Sequence, residues 1–210
     1  RVHDAQELAA IAELAHKHGV TVISDEIHAP LTYADQKFVP WLDLNEAARE
    51  TGVVITAASK SYNLAGLKAS LIVTDSKIMQ SKISKVPAAL HWRSGILGAF
   101  AMAEAFSNCS DWLDAANLQN QSSRDLLTNL IAEQLPTVEY WIPEAGYLAW
   151  LDLSPLGLGA NPAAKILDQQ KVAFVAGVDL GAAYDQFIRI NFACHPDSLR
   201  KAISAIAACV

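Results

Sequence analysis

The spacing of apolar residues switches between helical and strand-like several times in the first part of the chain. Leu8, Ile11, Ala12 and Ala15 recur at helical period and predict a helix from Asp4 to His18. Asp4 followed by Glu7 has the spacing of a capping box, and Gly19 supplies the stop. Val20-Thr21-Val22-Ile23-Ser24 is β-branched and predicts a buried strand, with Asp25-Glu26 at its carboxyl end. A second helix is predicted from Leu44 to Glu50, ending at Thr51-Gly52. Two further buried strands are predicted, Val53 to Thr56 and Leu71 to Val73. Nearly continuous apolar strands alternating with helices predict a parallel α/β sheet.

The pattern changes after Val86-Pro87. Two long helices are predicted, Gly95 to Phe106 and Trp112 to Gln134. Strands follow at Tyr147 to Leu153, Val172 to Val175 and Phe187 to Phe192, with a loop over Pro155 to Pro162. A last amphipathic helix carries Leu199, Ala202, Ile203 and Ile206. This half is expected to be a smaller α+β unit. The boundary is expected within the long helices near residue 110, giving domains 1–110 and 111–210.

Composition narrows the function classes. With 52% apolar and 18% charged residues over 210 positions, disorder is excluded. The net charge of -6, with no Lys/Arg cluster, argues against a nucleic-acid partner. No apolar run approaches the roughly 20 residues that cross a bilayer, so no membrane partner is expected. Cys109, Cys194 and Cys209 are scattered and odd in number, which favours a reducing, cytoplasmic setting. The chain opens Arg1-Val2-His3 without an initiator Met and is expected to be part of a longer protein, or one product of processing.

Ligands of open α/β sheets bind at the carboxyl ends of the strands. Two strands bring polar groups to that edge: Asp25, Glu26 and His28 after one, Ser59 and Lys60 after the other. Singly, each has a bland explanation. A lysine at a strand end is usually a solvated charge, and an aspartate there is usually a turn or cap residue. Together they suit pyridoxal 5'-phosphate, which needs a lysine for its Schiff base and an acid for its pyridine nitrogen.

Ser24-Asp25-Glu26-Ile27-His28 and Ala58-Ser59-Lys60-Ser61-Tyr62-Asn63-Leu64-Ala65-Gly66-Leu67 resemble fold-type I pyridoxal-phosphate enzymes, and more narrowly the class I/II aminotransferase superfamily. Phe187-Ile188-Arg189-Ile190-Asn191-Phe192-Ala193 and Pro143 to Asp152 are similar to that family's C-terminal strands, in the same order. The resemblance covers essentially the whole chain. It implies the C-terminal half of the large domain's mostly parallel sheet plus a smaller α+β C-terminal domain. It implies Lys60 as the Schiff-base lysine and proton shuttle, and Asp25 as the partner of the pyridinium nitrogen. It implies Ile27 against the ring face, His28 near the ring hydroxyl, and Ser59 at the phosphate. Arg189 would bind the carboxylate of a small amino-acid substrate.

Three positions depart from the aspartate-aminotransferase branch: His28 where that branch has Tyr, Ala57 where it has Ser, and Lys68 where it has Arg. Lys68 can still meet a phosphate as a point charge. All three are similar to the cystathionine β-lyase-type C–S lyases. The resemblance therefore implies a lyase releasing thiol, pyruvate and ammonia; aminotransferase activity or a non-catalytic regulatory protein are the alternatives. It also implies a homodimer, and a dependence on the family's N-terminal half, which carries an Asn-Pro-type motif, a glycine-containing phosphate loop and a ring-stacking aromatic. His16 and His18 lie two apart on a helix and are expected at the surface. His91, Trp92 and Arg93 are expected in a loop and helix start. Cys194 is expected to be buried, and Trp41, Trp112, Trp141 and Trp150 to serve core or interface.

Overall fold

The computed structural model describes residues 1–210, with the side chain of His91 outside the described residues. The chain divides into two compact units, Arg1–Ala116 and Asn117–Val210.

In the first unit, α1 (Ala5–Lys17) starts where the Asp4 carboxylate accepts the Glu7 N–H at 2.8 Å. The reciprocal half of the capping box does not form, because the Glu7 carboxylate turns to Arg1 and His3. Next come β1 (Val22–Asp25), α2 (Glu46–Thr51), β2 (Gly52–Thr56), the single helical turn α3 (Ala58–Ser61) and β3 (Leu71–Val73). They are followed by α4 (Lys77–Ile83), α5 (Ala88–His91), α6 (Ile96–Asn108) and the start of α7 (Ser110–Gln134).

The sheet order is β1-β2-β3. β1 and β2 pair in parallel, with Asp25 opposite Ile55. β2 and β3 pair antiparallel, so this sheet joins one parallel and one antiparallel pairing. A parallel return needs a crossover that carries the chain back to the starting edge. The link from β2 to β3 holds only α3 and a 3-10 turn at Ala65–Leu67, so β3 starts from the edge where β2 ended.

Burial of the strands also differs from expectation. Ile23 of β1 is 66% exposed and Ile72 of β3 is 58% exposed. α1 and α2 cover one face only, where Ala12, Trp41, Ala47, Ala48 and Val54 form a core with Val22 packed against it. On the opposite face of β1, Ile23 is left exposed.

The second unit is built from the later turns of α7, then β4 (Glu139–Tyr140), β5 (Leu148–Asp152), α8 (Pro162–Gln170), β6 (Val175–Ala176), β7 (Phe187–Asn191) and α9 (Pro196–Ala207). Its antiparallel sheet has the order β4-β5-β7-β6. Ala149, Leu151, Ile188 and Ile190 point to one face and join Leu127, Ile131, Ile166, Leu199, Ile203 and Ile206 in the core. Each such side chain contributes about 1.5–3 kcal/mol when fully buried. α8 and α9 both begin with a proline, which lacks only an N–H that would be unpaired there anyway.

The strand expected over Val172 to Val175 is shorter and later, because Val172 and Phe174 pack on the core without joining the ladder. Cys194 is half-buried rather than buried, since it leaves β7 in a turn whose N–H donates to the Phe192 carbonyl at 2.8 Å. Trp41 is buried, while Trp112 and Trp141 are exposed. His16 and His18 are at the surface, and His16 meets Glu50 at 2.8 Å. Among the described residues, no helix is long and apolar enough to cross a membrane.

Candidate active site

β1 and β2 run in the same direction and deliver their next residues to the same edge. Asp25 ends β1, and the Ile27 N–H donates back to its carboxylate at 3.2 Å. Ile27 and His28 lie in that turn and are half-buried. From β2, the chain passes Ala57 and enters α3, which carries Ser59 and Lys60, both half-buried. α3 packs against the 3-10 turn Ala29–Leu31 that follows His28.

His28 reports how the charges are gathered. Burial lowers its pKa first, the Lys60 ammonium lowers it further, and the Asp25 carboxylate opposes both. Asp25 ends β1, His28 follows it by three residues, and the 3-10 turn after His28 packs against the helical turn that carries Lys60, so the three residues share one edge of the sheet. The lowered pKa favours neutral imidazole, able to donate from one nitrogen and accept at the other.

The back of α3 is pinned. Ala58 packs with Met102 and Ala105 of α6. Tyr62 stacks on Trp112 at 5.9 Å and meets Phe106 edge-on at 5.8 Å. Burial raises the Tyr62 pKa, with smaller contributions from Cys109 and Asp114. Ala57, the cap residue of α3, is buried and offers no side-chain oxygen to the helical turn.

Beyond α3 the backbone turns left-handed twice, at Asn63 (φ 55°) and Lys68 (φ 56°). Asparagine tolerates this region; for lysine it costs about 1–2 kcal/mol. The surroundings hold Lys68 there. The Gly95 N–H donates to its carbonyl at 3.3 Å, and α6 approaches so closely that a Cβ on Gly98 would stand 2.3 Å from the Leu67 carbonyl oxygen. The Lys68 side chain is exposed.

Glu26 had no role in the sequence reading. Its Oε1 accepts from the Ser24 hydroxyl at 3.1 Å and from the Trp41 N–H at 2.9 Å. The Ser-x-Glu spacing, which puts both side chains on one face of an extended segment, was the available signal.

Arg189 lies in the second unit. On β7 it sits between Trp150 of β5 and Val175 of β6, half-buried on the sheet face opposite the core. Trp150, Phe187 and Tyr184 pack as an aromatic group on that face, Trp150 stacked on Phe187 at 5.3 Å. Arg189 is thus displayed from a rigid strand beside an aromatic wall.

A lysine, an aspartate and a histidine at one edge of the sheet, with the Ser59 hydroxyl on the same helical turn as Lys60, form a donor set that fits pyridoxal phosphate. Comparison with known proteins agrees. The family model for aminotransferase class I and II matches residues 1–206. Cystathionine beta-lyase PatB of Bacillus subtilis (strain 168) is 33% identical over 209 residues, covering 97% of this chain and 53% of that protein. Protein MalY of Escherichia coli (strain K12) is 31% identical over 213 residues, covering 98% and 53%. Among solved structures, the PLP-bound C-S lyase from Staphylococcus hominis complexed with L-cycloserine superposes with a TM-score of 0.87 at 26% identity, over 100% of this chain and 51% of that one. The chain therefore spans about half the length of the relatives it matches.

Proposed function

Because the chain belongs to the class I and II aminotransferase family, we propose that it is part of a pyridoxal-phosphate enzyme cleaving carbon–sulfur bonds in amino acids. The substrate is cystathionine or a related thioether amino acid, converted with water to thiol, pyruvate and ammonia. The carrying observation is that the parallel register of β1 with β2 and the packing of the Lys60 turn on the segment after His28 bring Asp25, His28 and Lys60 to one carboxyl edge. His28, Ala57 and Lys68, and relatives named cystathionine beta-lyase, support the lyase over the transferase.

When bound, the cofactor supplies an electron sink for the carbanion left by loss of the substrate α-proton. Lys60 Nζ is the covalent anchor and, when free, the base that moves that proton. Asp25 keeps a proton on the pyridine nitrogen, since a nearby opposite charge favours the charged form. His28 hydrogen-bonds the ring hydroxyl, and Ile27 packs on the ring face. Ser59 and Lys68 hold the phosphate. Arg189 is the group that would orient the substrate carboxylate, a task its planar guanidinium fork suits.

In this reading, residues 1–110 belong to the cofactor-binding large domain and 111–210 to the smaller domain. An N-terminal half of the same enzyme pairs with the open faces of β1 and β3. The enzyme is a cytoplasmic homodimer. Exposed Trp92, Ile96, Leu97 and Phe100 around α5 and α6 offer the apolar surface such a dimer buries.

The test is to incubate the full-length enzyme with cystathionine and a keto acid. Pyruvate release without consumption of the keto acid is expected. Amino-group transfer to the keto acid would instead support the second reading, an aminotransferase, which uses the same Lys60, Asp25 and Arg189. Borohydride is expected to fix the cofactor on Lys60, and a label on another lysine would overturn the assignment.

A further inference from the structure

We infer that Glu26 is a positioning residue, a clasp that closes the segment between β1 and Trp41 and thereby holds both His28 and the helical turn bearing Lys60. The inference rests on the reading of the Lys60 cluster as the cofactor site.

The geometry is specific. A single carboxylate oxygen, Glu26 Oε1, takes two donors from opposite ends of the segment: the Ser24 hydroxyl inside β1 and the Trp41 backbone N–H fifteen residues on. Glu26 is itself fixed, because its N–H donates to the Ile55 carbonyl at 2.8 Å and extends the β1–β2 pairing by one residue. Trp41 is held as well. It is 3% exposed, its indole N–H donates to the Ala48 carbonyl at 3.0 Å, and a Cβ on Gly52 would stand 2.4 Å from its indole nitrogen. The clasp therefore joins two points that are each held by further contacts.

Everything between them follows. Leu31 and Tyr33 are buried, so the enclosed segment is packed rather than loose. It carries Ile27 and His28 at its start, and its 3-10 turn Ala29–Leu31 is the surface against which α3 packs. A carboxylate oxygen that accepts two hydrogen bonds from groups already held is suited to fixing the geometry between them. Glu26 does not act on the substrate; it acts through His28 and α3. A displacement of about 1 Å at such a site is costly to catalysis.

The experiment compares Glu26→Ala, Glu26→Gln and Ser24→Ala in the full-length, cofactor-loaded enzyme. Glutamine retains an amide oxygen at the same place and is the rescue variant. Three properties are read: hydrogen exchange of the Trp41 amide, the pH midpoint of the bound cofactor's absorption change, and kcat with KM.

For Glu26→Ala, Trp41 exchange is expected to accelerate about tenfold or more. The spectral midpoint should move by about half a pH unit or more. A fall in kcat of about tenfold is expected, with KM nearly unchanged. Glu26→Gln should stay close to wild type in all three. Ser24→Ala, which keeps the carboxylate, should give a smaller acceleration of Trp41 exchange, and it serves if Glu26→Ala fails to fold. Unchanged Trp41 exchange in Glu26→Ala, or in Ser24→Ala where Glu26→Ala does not fold, overturns the inference. So does a spectral midpoint that stays fixed in Glu26→Ala, or a glutamine variant as damaged as the alanine one. The exchange measurement needs no chemistry: faster exchange with a cofactor fixed elsewhere than Lys60 supports the clasp and overturns only the functional reading.

Discussion

Trp150 stands directly opposite Arg189 across the β5–β7 ladder, on the face of the sheet turned away from the core. Neighbouring side chains on one face of an antiparallel pair restrict each other's rotamers. Trp150 is in turn held by stacking on Phe187 and by the edge of Tyr184. Trp150→Ala should therefore cost about 2 kcal/mol of stability, less than a fully buried tryptophan, and Trp150→Phe should recover most of it. Arg189→Lys keeps the charge but loses the planar fork. Its melting temperature should stay within a few degrees while KM rises roughly tenfold or more. Urea unfolding and substrate saturation curves check the two expectations separately.

Asp25→Ala should leave the cofactor fixable on Lys60 by borohydride, because the anchor is untouched. Turnover should fall about a hundredfold or more, as expected when one group stabilising developing charge is removed. An Asp25→Ala enzyme with full turnover would assign the ring nitrogen to another residue.

Gly98→Ala and Gly66→Ala form a matched pair. A Cβ at 98 meets the Leu67 carbonyl oxygen at 2.3 Å and the Ala69 Cβ at 3.0 Å, whereas a Cβ at 66 meets nothing within 4 Å. Gly98→Ala should push α6 away from the Leu67–Lys68 segment and cost about 1–3 kcal/mol. It should also weaken cofactor retention, since Lys68 loses its backbone support. Gly66→Ala should be close to neutral in both thermal melting and cofactor titration.

The lowered pKa of His28 makes stability depend on pH in one direction. Below its unfolded value of about 6.5, the unfolded chain takes up a proton that the folded one resists. Stability from this group is present in full above that pH and is lost as pH falls toward the depressed folded value. His28→Gln should flatten that part of the profile. Urea midpoints of both proteins, measured from about pH 8 down to 5, provide the comparison. A wild-type curve with no slope attributable to His28 would show that its environment does not resist the proton.

The strands at the site were legible because β-branched runs such as Val53 to Ile55 have few other uses. Their direction and cover were not. A run of three apolar residues at Leu71 to Val73 looks the same whether it pairs parallel or antiparallel, and its exposure depends on what lies over it. α3 escaped notice because four residues cannot display a helical period, yet it carries Ser59 and Lys60. α4, α8 and β4 escaped for similar reasons of length or mixed composition. The clustering of Asp25, His28 and Lys60 rests on the parallel register of β1 with β2, which juxtaposes Asp25 and Ile55. The Glu26 contact with Trp41 joins residues fifteen apart through a packed turn, and no local pattern encodes it.

The left-handed backbone at Lys68 bears on how this site can change over generations. The conformational cost at that position falls on lysine and arginine alike, because both carry the same Cβ. It is met by α6 and the Gly95 hydrogen bond, which do not depend on the side chain's end group. Swapping a point-charge ammonium for a forked guanidinium there needs no rearrangement of the chain. One substitution at residue 68 can thus exchange one mode of phosphate grip for another while the fold around it stays the same.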